Sequence, residues 1–311
     1  MLLLATVAWG FGFTWAKAGG ETINRQLGLG VGAAIGPTLL LCVRFAASAV
    51  LMLALFPRAR RGWSRATVAR SVALGSLMGL GMILQHLGLD RSSEAVTAFL
   101  TSLTILFVPI LMTVVLRKPP APIFWGAVLL ATLGIWLMTG ATPHGFGIGE
   151  LLGLACAIVF SVQLIAVNIL VPRDDPWRLT VGQFIVATTI TLATCLLVER
   201  GRDALWPATF ARLFAHRDVW LNLVLLVMFP TLFSYTAMSV FQPRLDPTRA
   251  ALIYLMEPVF ATAYAWAARG SALTTQALAG AALILAANFL VEFIRQSRGR
   301  ADRASPGASV G

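Results

Sequence analysis

Ten runs of apolar residues, each about as long as a membrane crossing, divide the chain. A hydrocarbon core of about 30 Å needs about 20 consecutive apolar residues in a helix. Glycine, proline and charged residues separate the runs, as in the segments FPRARRGWSR, RKPPAP and VPRDDPWR. The runs cover residues 2–19, 36–56, 68–89, 94–116, 121–140, 148–171, 179–198, 219–241, 248–268 and 273–294. The pattern predicts an all-α integral membrane protein with ten transmembrane helices.

Composition agrees with this prediction. Of 311 residues, 58% are hydrophobic and 12% are charged, whereas soluble domains contain about 25% charged residues. The first run lacks the basic start and cleavage site of a signal peptide, so it is predicted to stay as a helix. The three cysteines, Cys42, Cys156 and Cys195, lie in apolar runs and are interpreted as packing residues. We expect no metal site and no cofactor.

The net charge of +11 is interpreted as a loop bias rather than a nucleic-acid surface, because no nucleic-acid-binding motif accompanies it. If the N-terminus is cytoplasmic, fifteen Lys and Arg residues fall on the cytoplasmic side and eight fall outside. Cytoplasmic loops of membrane proteins carry the excess of these residues. Both termini are therefore predicted to be cytoplasmic. The basic tail 295–311 is predicted to be disordered.

The two halves of the chain, 1–140 and 148–294, align with each other. PTLLLCVRF (37–45) matches PWRLTVGQF (176–184), and LTILFVPIL (103–111) matches LIYLMEPVF (252–260). Five helices is an odd number, so the second half would enter the membrane in the opposite orientation. The sequence therefore predicts two inverted five-helix repeats, an architecture that recurs in secondary transporters.

Several of these segments resemble one known family. The motifs AWGFGF in the first run, RF in the second, FLTSLTILFVPIL in the fourth and DPTRAALIYLMEPVFATAYAW in the ninth are similar to those of the EamA family of the drug/metabolite transporter superfamily. The resemblance covers about residues 1–294. It implies a permease of the cell (inner) membrane, in many members an exporter of amino acids or other small metabolites.

Two charged residues lie at membrane depth, where insertion of a charge costs about 2.5–3.5 kcal/mol. Glu257 lies roughly 13 Å from the start of the ninth run at Thr248, and Arg44 lies roughly 10 Å from the start of the second at Pro37. A charge at this depth usually faces a cavity or a partner. A Glu257–Arg44 pair is allowed, and a structural role for either residue stays open.

Prolines and polar residues at similar depth complete the candidate site. Pro258 removes a helical hydrogen bond and predicts a kink beside Glu257, and Pro109 predicts a kink at the aligned position. A packing kink without a ligand role is the alternative. Further candidates for substrate contact or coupling, each of which could instead join helices, are Trp9, Gln183, Tyr254, Ser161, Gln163 and Tyr235. His86 is predicted to be a hydrogen-bonded ring near the interface, with proton relay as the alternative.

Motifs for catalysis are absent from the sequence, which contains no HExxH, GxSxG or Cys/His zinc spacing. The favoured interpretation is a carrier that works by alternating access, and the alternatives are a membrane channel or an intramembrane enzyme. One carboxylate and one guanidinium suit an amino acid or an amphipathic compound. The expected partners are this small-molecule substrate, the lipid bilayer and protons as the coupling ion. Glu257 is the expected proton carrier, and a homodimer is also compatible with the sequence.

Overall fold

The computed structural model describes residues 1–30, 32–92, 94–139, 147–269 and 274–304, which form helices joined by turns. A π-helical segment, Val227–Phe233, joins helix Arg217–Leu226 to helix Ser234–Phe241. The α-helices are α1 (Leu2–Gln26), α2 (Ile35–Leu55), α3 (Arg65–Arg91), α4 (Glu94–Ser102), α5 (Thr104–Val114), α6 (Pro122–Thr139), α7 (Ile148–Leu170), α8 (Pro176–Leu197), α9 (Gly201–Leu205), α10 (Pro207–Ala215), α11 (Arg217–Leu226), α12 (Ser234–Phe241), α13 (Pro247–Tyr254), α14 (Glu257–Arg269) and α15 (Thr275–Ala304).

Helices occupy all ten predicted runs, and six described segments are long and apolar enough to cross a membrane. These six are Ile35–Leu55, Arg65–Arg91, Thr97–Val114, Ile148–Arg173, Pro176–Leu197 and Arg217–Arg244; Pro122–Leu137 and Thr275–Ala287 are shorter apolar helices. The chain is therefore a multi-pass, all-helical membrane protein. The count of ten crossings and the inverted orientation of the halves stay predictions.

Three of the runs are interrupted. The fourth run divides into α4 and α5 at Leu103, and the ninth divides into α13 and α14 at Leu255 and Met256. The eighth run contains the π-helical segment around Pro230. The break in the ninth run lies beside Pro258, as the loss of the proline N–H predicts. The break in the fourth run is six residues before Pro109, which lies inside α5.

The two ends of the chain differ from the predicted boundaries. The first run ends at residue 19, whereas α1 continues through Gly19 and Gly20 to Gln26. The last run ends at residue 294, whereas α15 continues to Ala304. Residues 295–304 are thus helical rather than disordered, since alanine, arginine and glutamine favour helix where no proline intervenes. Residues 305–311 lie outside the described residues.

Helix pairs from the two halves pack against each other: α2 on α8, α3 on α7 and α8, and α6 on α15. Close packing of α3 on α8 is made possible by glycine. A Cβ at Gly75 would lie 2.6 Å from Val186 Cβ, and one at Gly79 would lie 3.2 Å from Ala187 Cα. The rings of Phe45 on α2 and Phe184 on α8, which align in the two halves, stack at 6.3 Å between centroids.

One end of the bundle carries an arginine-rich surface, the basic face, formed by the loops 56–64 and 171–175. Asp174 lies at its centre. Thr67 Oγ1 and Arg70 Nη1 donate to Asp174 Oδ2 at 2.7 and 2.9 Å, and Arg178 Nη2 donates to Oδ1 at 2.9 Å. Burial alone would raise the pKa of Asp174, but these hydrogen bonds, with one from its neighbour's N–H, hold that pKa below its usual range. Asp174 thus ties α3 of the first half to the α7–α8 loop of the second.

Candidate functional site

A cavity of about 120 Å³ lies inside the bundle, where helices of both halves meet. Its walls come from α1 to α5, α7, the π-helical segment and α12 to α14. From mid-helix it extends to Leu89 and Ala98, which flank the α3–α4 connection. Its lining includes seven of the ten residues predicted from the sequence: Trp9, Arg44, Gln163, Tyr235, Tyr254, Glu257 and Pro258.

Glycines of the AWGFGF motif bring α1 against the second half. A Cβ at Gly10 would lie 2.8 Å from the Glu257 carbonyl oxygen and 2.9 Å from the Ala261 nitrogen. A Cβ at Gly12 would lie 3.0 Å from Pro230 Cγ. All three distances are too short for a larger residue without movement, and at Gly10 the neighbours are backbone atoms. Trp9 is therefore held next to the start of α14.

The π-helical segment redistributes hydrogen bonds around Pro230. Proline has no N–H, so it cannot bond the carbonyl of Leu226 four residues earlier. Thr231 Oγ1 donates to that carbonyl at 2.7 Å instead. The carbonyl of Pro230 in turn accepts the indole N–H of Trp9 at 2.9 Å. These bonds fix Trp9 at the wall of the cavity.

Glu257 is the one carboxylate among the lining residues. Its side chain is partly exposed, and no described residue donates a hydrogen bond to it or pairs with it. Arg44, on α2, is 3% exposed and also lines the cavity. Its Nε donates to Thr231 Oγ1, and no ion pair joins Arg44 to Glu257 in this structure. The carboxylate is available to a ligand that enters the cavity.

Three aromatic rings form one corner of the cavity, here named the aromatic corner: Trp9, Tyr235 and Tyr254. The Trp9 ring meets Tyr254 at 5.1 Å between centroids and Tyr235 at 5.7 Å, both edge to face. An edge-to-face contact covers one face of only one of its two rings, so the three rings keep faces that these two contacts do not cover. Tyr254 also lies one helical turn before Glu257, across the break between α13 and α14.

A chain of hydrogen bonds lies between the aromatic corner and the basic face. Tyr254 Oη donates to Gln242 Oε1 at 3.0 Å, and Gln242 Nε2 donates to the Leu164 carbonyl at 2.8 Å and to Asn168 Oδ1 at 2.5 Å. Asn168 Nδ2 then donates to the Leu245 carbonyl at 2.6 Å. Gln242 is fully buried. This chain, the gate chain below, joins α7, α13 and the turn after α12 on the basic side of the cavity.

Three predicted residues lie outside the lining. Ser161 is buried and donates to the Ala157 carbonyl at 2.7 Å. Gln183 is buried, donates to the Leu179 carbonyl at 3.3 Å and accepts from Gln163 Nε2 at 3.5 Å. Pro109 belongs to the buried core of α5. Of the two residues that align in the sequence, Arg44 lines the cavity and Gln183 does not.

Other lining residues have no counterpart among the predicted ones. Thr101, Ser102 and Thr104 bring hydroxyl groups from the α4–α5 break, and Pro230 brings the π-helical segment. His86, predicted near the interface, is instead 5% exposed at the cavity wall, and its Nδ1 lies 3.0 Å from the Met82 carbonyl oxygen. The sequence did contain a signal for the π-helical segment, because Pro230, like Pro258, lies in the middle of an apolar run. Within the described part of the chain, His, Cys, Asp and Glu form no cluster that could hold a metal ion.

Comparison with known proteins gives consistent results. The family model described as the EamA-like transporter family matches twice, over residues 1–140 and 147–293. An uncharacterized transporter of Archaeoglobus fulgidus is 26% identical over 222 residues, which cover 70% of this chain and 67% of that protein. A protein of known crystal structure superposes with a TM-score of 0.66 at 18% identity, over 94% of this chain and 98% of the other. The last likeness shows the fold alone.

Proposed function

The chain belongs to the EamA-like transporter family of the drug/metabolite transporter superfamily, and we propose that this membrane transporter carries a small metabolite by alternating access. The observation that carries the proposal is the cavity between the two halves, which contains one free carboxylate and has the gate chain on its basic side. A carrier needs a site that reaches one side while the other is closed.

The proposed architecture is ten transmembrane helices in two inverted repeats. Two separate matches to one family model support a duplication. The contact between the aligned rings of Phe45 and Phe184 supports it as well, because residues on a two-fold axis meet their own equivalents. With the basic face in the cytoplasm, as the charge bias favours, both termini are cytoplasmic. The cavity then faces outward in this structure, in the inner membrane of the cell.

The size of the cavity favours a small substrate. Its volume of about 120 Å³ is close to the ~150 Å³ of an engineered cavity that holds benzene. A small amino acid or amine fits this space, and a larger amphipathic compound needs a wider state. Hydrogen-bonded helices between the cavity and the basic face, rather than a continuous polar pore, favour a carrier over a channel. The family resemblance favours export, and it favours transport over catalysis by an intramembrane enzyme.

Glu257 is the proposed proton carrier. The ionisable groups that line the same cavity are Arg44 from α2, His86 from α3, Tyr235 from α12 and Tyr254 from α13. A site that is open to water in one state and closed in the other changes the proton affinity of its carboxylate. Release of the proton on one side and uptake on the other would couple proton entry to solute efflux.

Transport by the purified protein in proteoliposomes tests this function. We expect saturable uptake of a labelled amino acid or amine, counterflow when unlabelled solute is inside, and acceleration by a pH gradient. Flux that does not saturate would indicate a channel. The proposal would be overturned if none of the tested amino acids and amines showed flux or counterflow with protein that size-exclusion chromatography shows to be folded.

A further inference from the structure

We propose that Glu257 and the aromatic corner form a subsite for an ammonium group of the substrate. The inference rests on the proposed function in taking the cavity as the substrate site. Two observations support it. Four side chains lie together in the cavity lining, and their hydrogen bonds leave a carboxylate and aromatic carbon surface for a ligand; the four are Glu257, Trp9, Tyr235 and Tyr254.

The polar atoms of two of the rings are already in use. The indole N–H of Trp9 donates to the Pro230 carbonyl, and the hydroxyl of Tyr254 donates to Gln242. Neither donor is free to bind an anion. What these rings offer to the cavity is their carbon surface, and the face of an aromatic ring attracts a cation.

The carboxylate has the complementary property. Glu257 accepts no hydrogen bond from a described residue, and Arg44 is not paired with it. The backbone contact at Gly10 places Glu257 directly beside the segment that carries Trp9. A free carboxylate next to aromatic faces is suited to a group that is positive and carries apolar substituents, such as a primary or quaternary ammonium group.

Arg44 limits where that group can bind. Its guanidinium carbon lies 5.8 Å from the centroid of the Phe45 ring, and its Nε bonds Thr231, so its charge is held on the α2 wall. The ammonium group is therefore assigned to the α1–α14 wall, where Glu257 and Trp9 are adjacent, and not to the α2 wall.

Three matched probes test the subsite on the full-length protein in nanodiscs: 3-methylbutylamine, 3-methylbutanol and 4-methylpentanoate. They share an isobutyl group and differ in charge. We expect the amine to bind, measured by calorimetry, and the alcohol and the acid to bind at least about ten-fold more weakly, as expected when a charged hydrogen bond is lost. Equal or tighter binding of the acid would overturn the proposal.

Two pairs of variants locate the binding. Glu257→Gln should weaken amine binding about ten-fold or more, whereas Glu199→Gln, which removes an exposed carboxylate, should not change it. Trp9→Leu should weaken binding more than Trp9→Phe, since both lose the indole N–H and only the first loses the ring. Amine binding that is unchanged in folded Glu257→Gln would overturn the subsite. Amine binding without any transport in proteoliposomes would leave the subsite standing and overturn the proposed function.

Discussion

The two interrupted helix pairs, α4–α5 and α13–α14, are aligned in the two halves but differ in chemistry. Both contain a proline and both line the cavity. The first contributes neutral hydroxyls, and Thr104 Oγ1 donates to the Thr101 and Ala157 carbonyls at 2.7 and 3.3 Å. The second contributes a free carboxylate. The interruption in the first half therefore serves bonding between helices, and the interruption in the second half leaves a carboxylate for a ligand.

The residue before each proline shows why. Val108, before Pro109, is fully buried in the apolar core formed with α6 and α13, whereas Glu257, before Pro258, is partly exposed to the cavity. A carboxylate at position 108 would be surrounded by apolar side chains and would pay the full cost of burial. The two aligned positions thus differ in both backbone and environment: Val108 lies inside α5 and is buried, whereas Glu257 begins α14 and lines the cavity.

Removal of the carboxylate should have the largest effect. Glu257→Gln makes both halves neutral at the break while the shape of the side chain is kept. We expect it to abolish accumulation against a gradient, because glutamine cannot carry a proton. Exchange of solute for solute should persist at raised substrate concentration. Uptake into proteoliposomes with an imposed pH gradient measures both, and accumulation with unchanged pH dependence would refute the coupling role.

Glycines that pack closely against the interrupted helices of the two halves should differ in how much alanine destabilises the protein. Gly10→Ala places a methyl group against the backbone of Glu257 and Ala261, so it should destabilise the protein by about 1–3 kcal/mol. Gly153→Ala should cost less, because its near neighbours belong to one side chain: Leu100 Cδ1, at 2.9 Å, can rotate away, and Leu100 Cβ, at 3.0 Å, needs to shift only by a few tenths of an ångström. Gly126→Ala is the control, since no atom lies within 4 Å of its Cβ position. Thermal unfolding in detergent should rank the variants in this order, and an equal loss in all three would contradict it.

A smaller effect on transport is expected from a change at Arg44, which aligns with Gln183 in the other half. Arg44→Gln gives α2 the residue that α8 carries as Gln183. The fold should be kept, because glutamine can still donate to Thr231, and transport should weaken severalfold through loss of the cavity's guanidinium charge. Transport kinetics decide the matter, and wild-type values would reduce Arg44 to a structural residue.

The smallest effect should come from the contact between the halves at the basic face. Asp174→Asn should lower stability by about 1 kcal/mol or less near neutral pH, since Arg70 and Arg178 are 25% and 23% exposed. The pKa of Asp174 is lower in the folded protein, so its contribution is full above the unfolded pKa of about 3.9 and is lost as the pH falls further. Melting temperatures of both proteins should therefore converge in acid. A gap that persists at low pH would show that the carboxylate's charge is not responsible.

Hydrophobic periodicity and single unusual residues predict much of this molecule. The runs locate the helices, and Glu257 with Pro258 locates both a helix break and a wall of the cavity. The orientation of Gln183 could not be predicted, because its pairing with Gln163 depends on how α7 and α8 meet. The break at Leu103 has no proline of its own, and the gate chain joins residues that are distant in sequence, so neither leaves a local signal.

The gate chain contains no charged group, and in the proposed mechanism its bonds are among those that break when the cavity opens toward the basic face. Each neutral hydrogen bond contributes about 0.5–1.5 kcal/mol, so the four bonds of the chain stabilise the present arrangement by at most on the order of 4 kcal/mol. If the proposed opening broke all four without replacement, the present arrangement would be favoured by up to about a thousand-fold. Opening of this kind occurs in microseconds to milliseconds. In the proposed mechanism, release of Tyr254 by Gln242 is one step of turnover. Because that hydrogen bond is neutral, its breaking should depend on temperature and hardly on ionic strength.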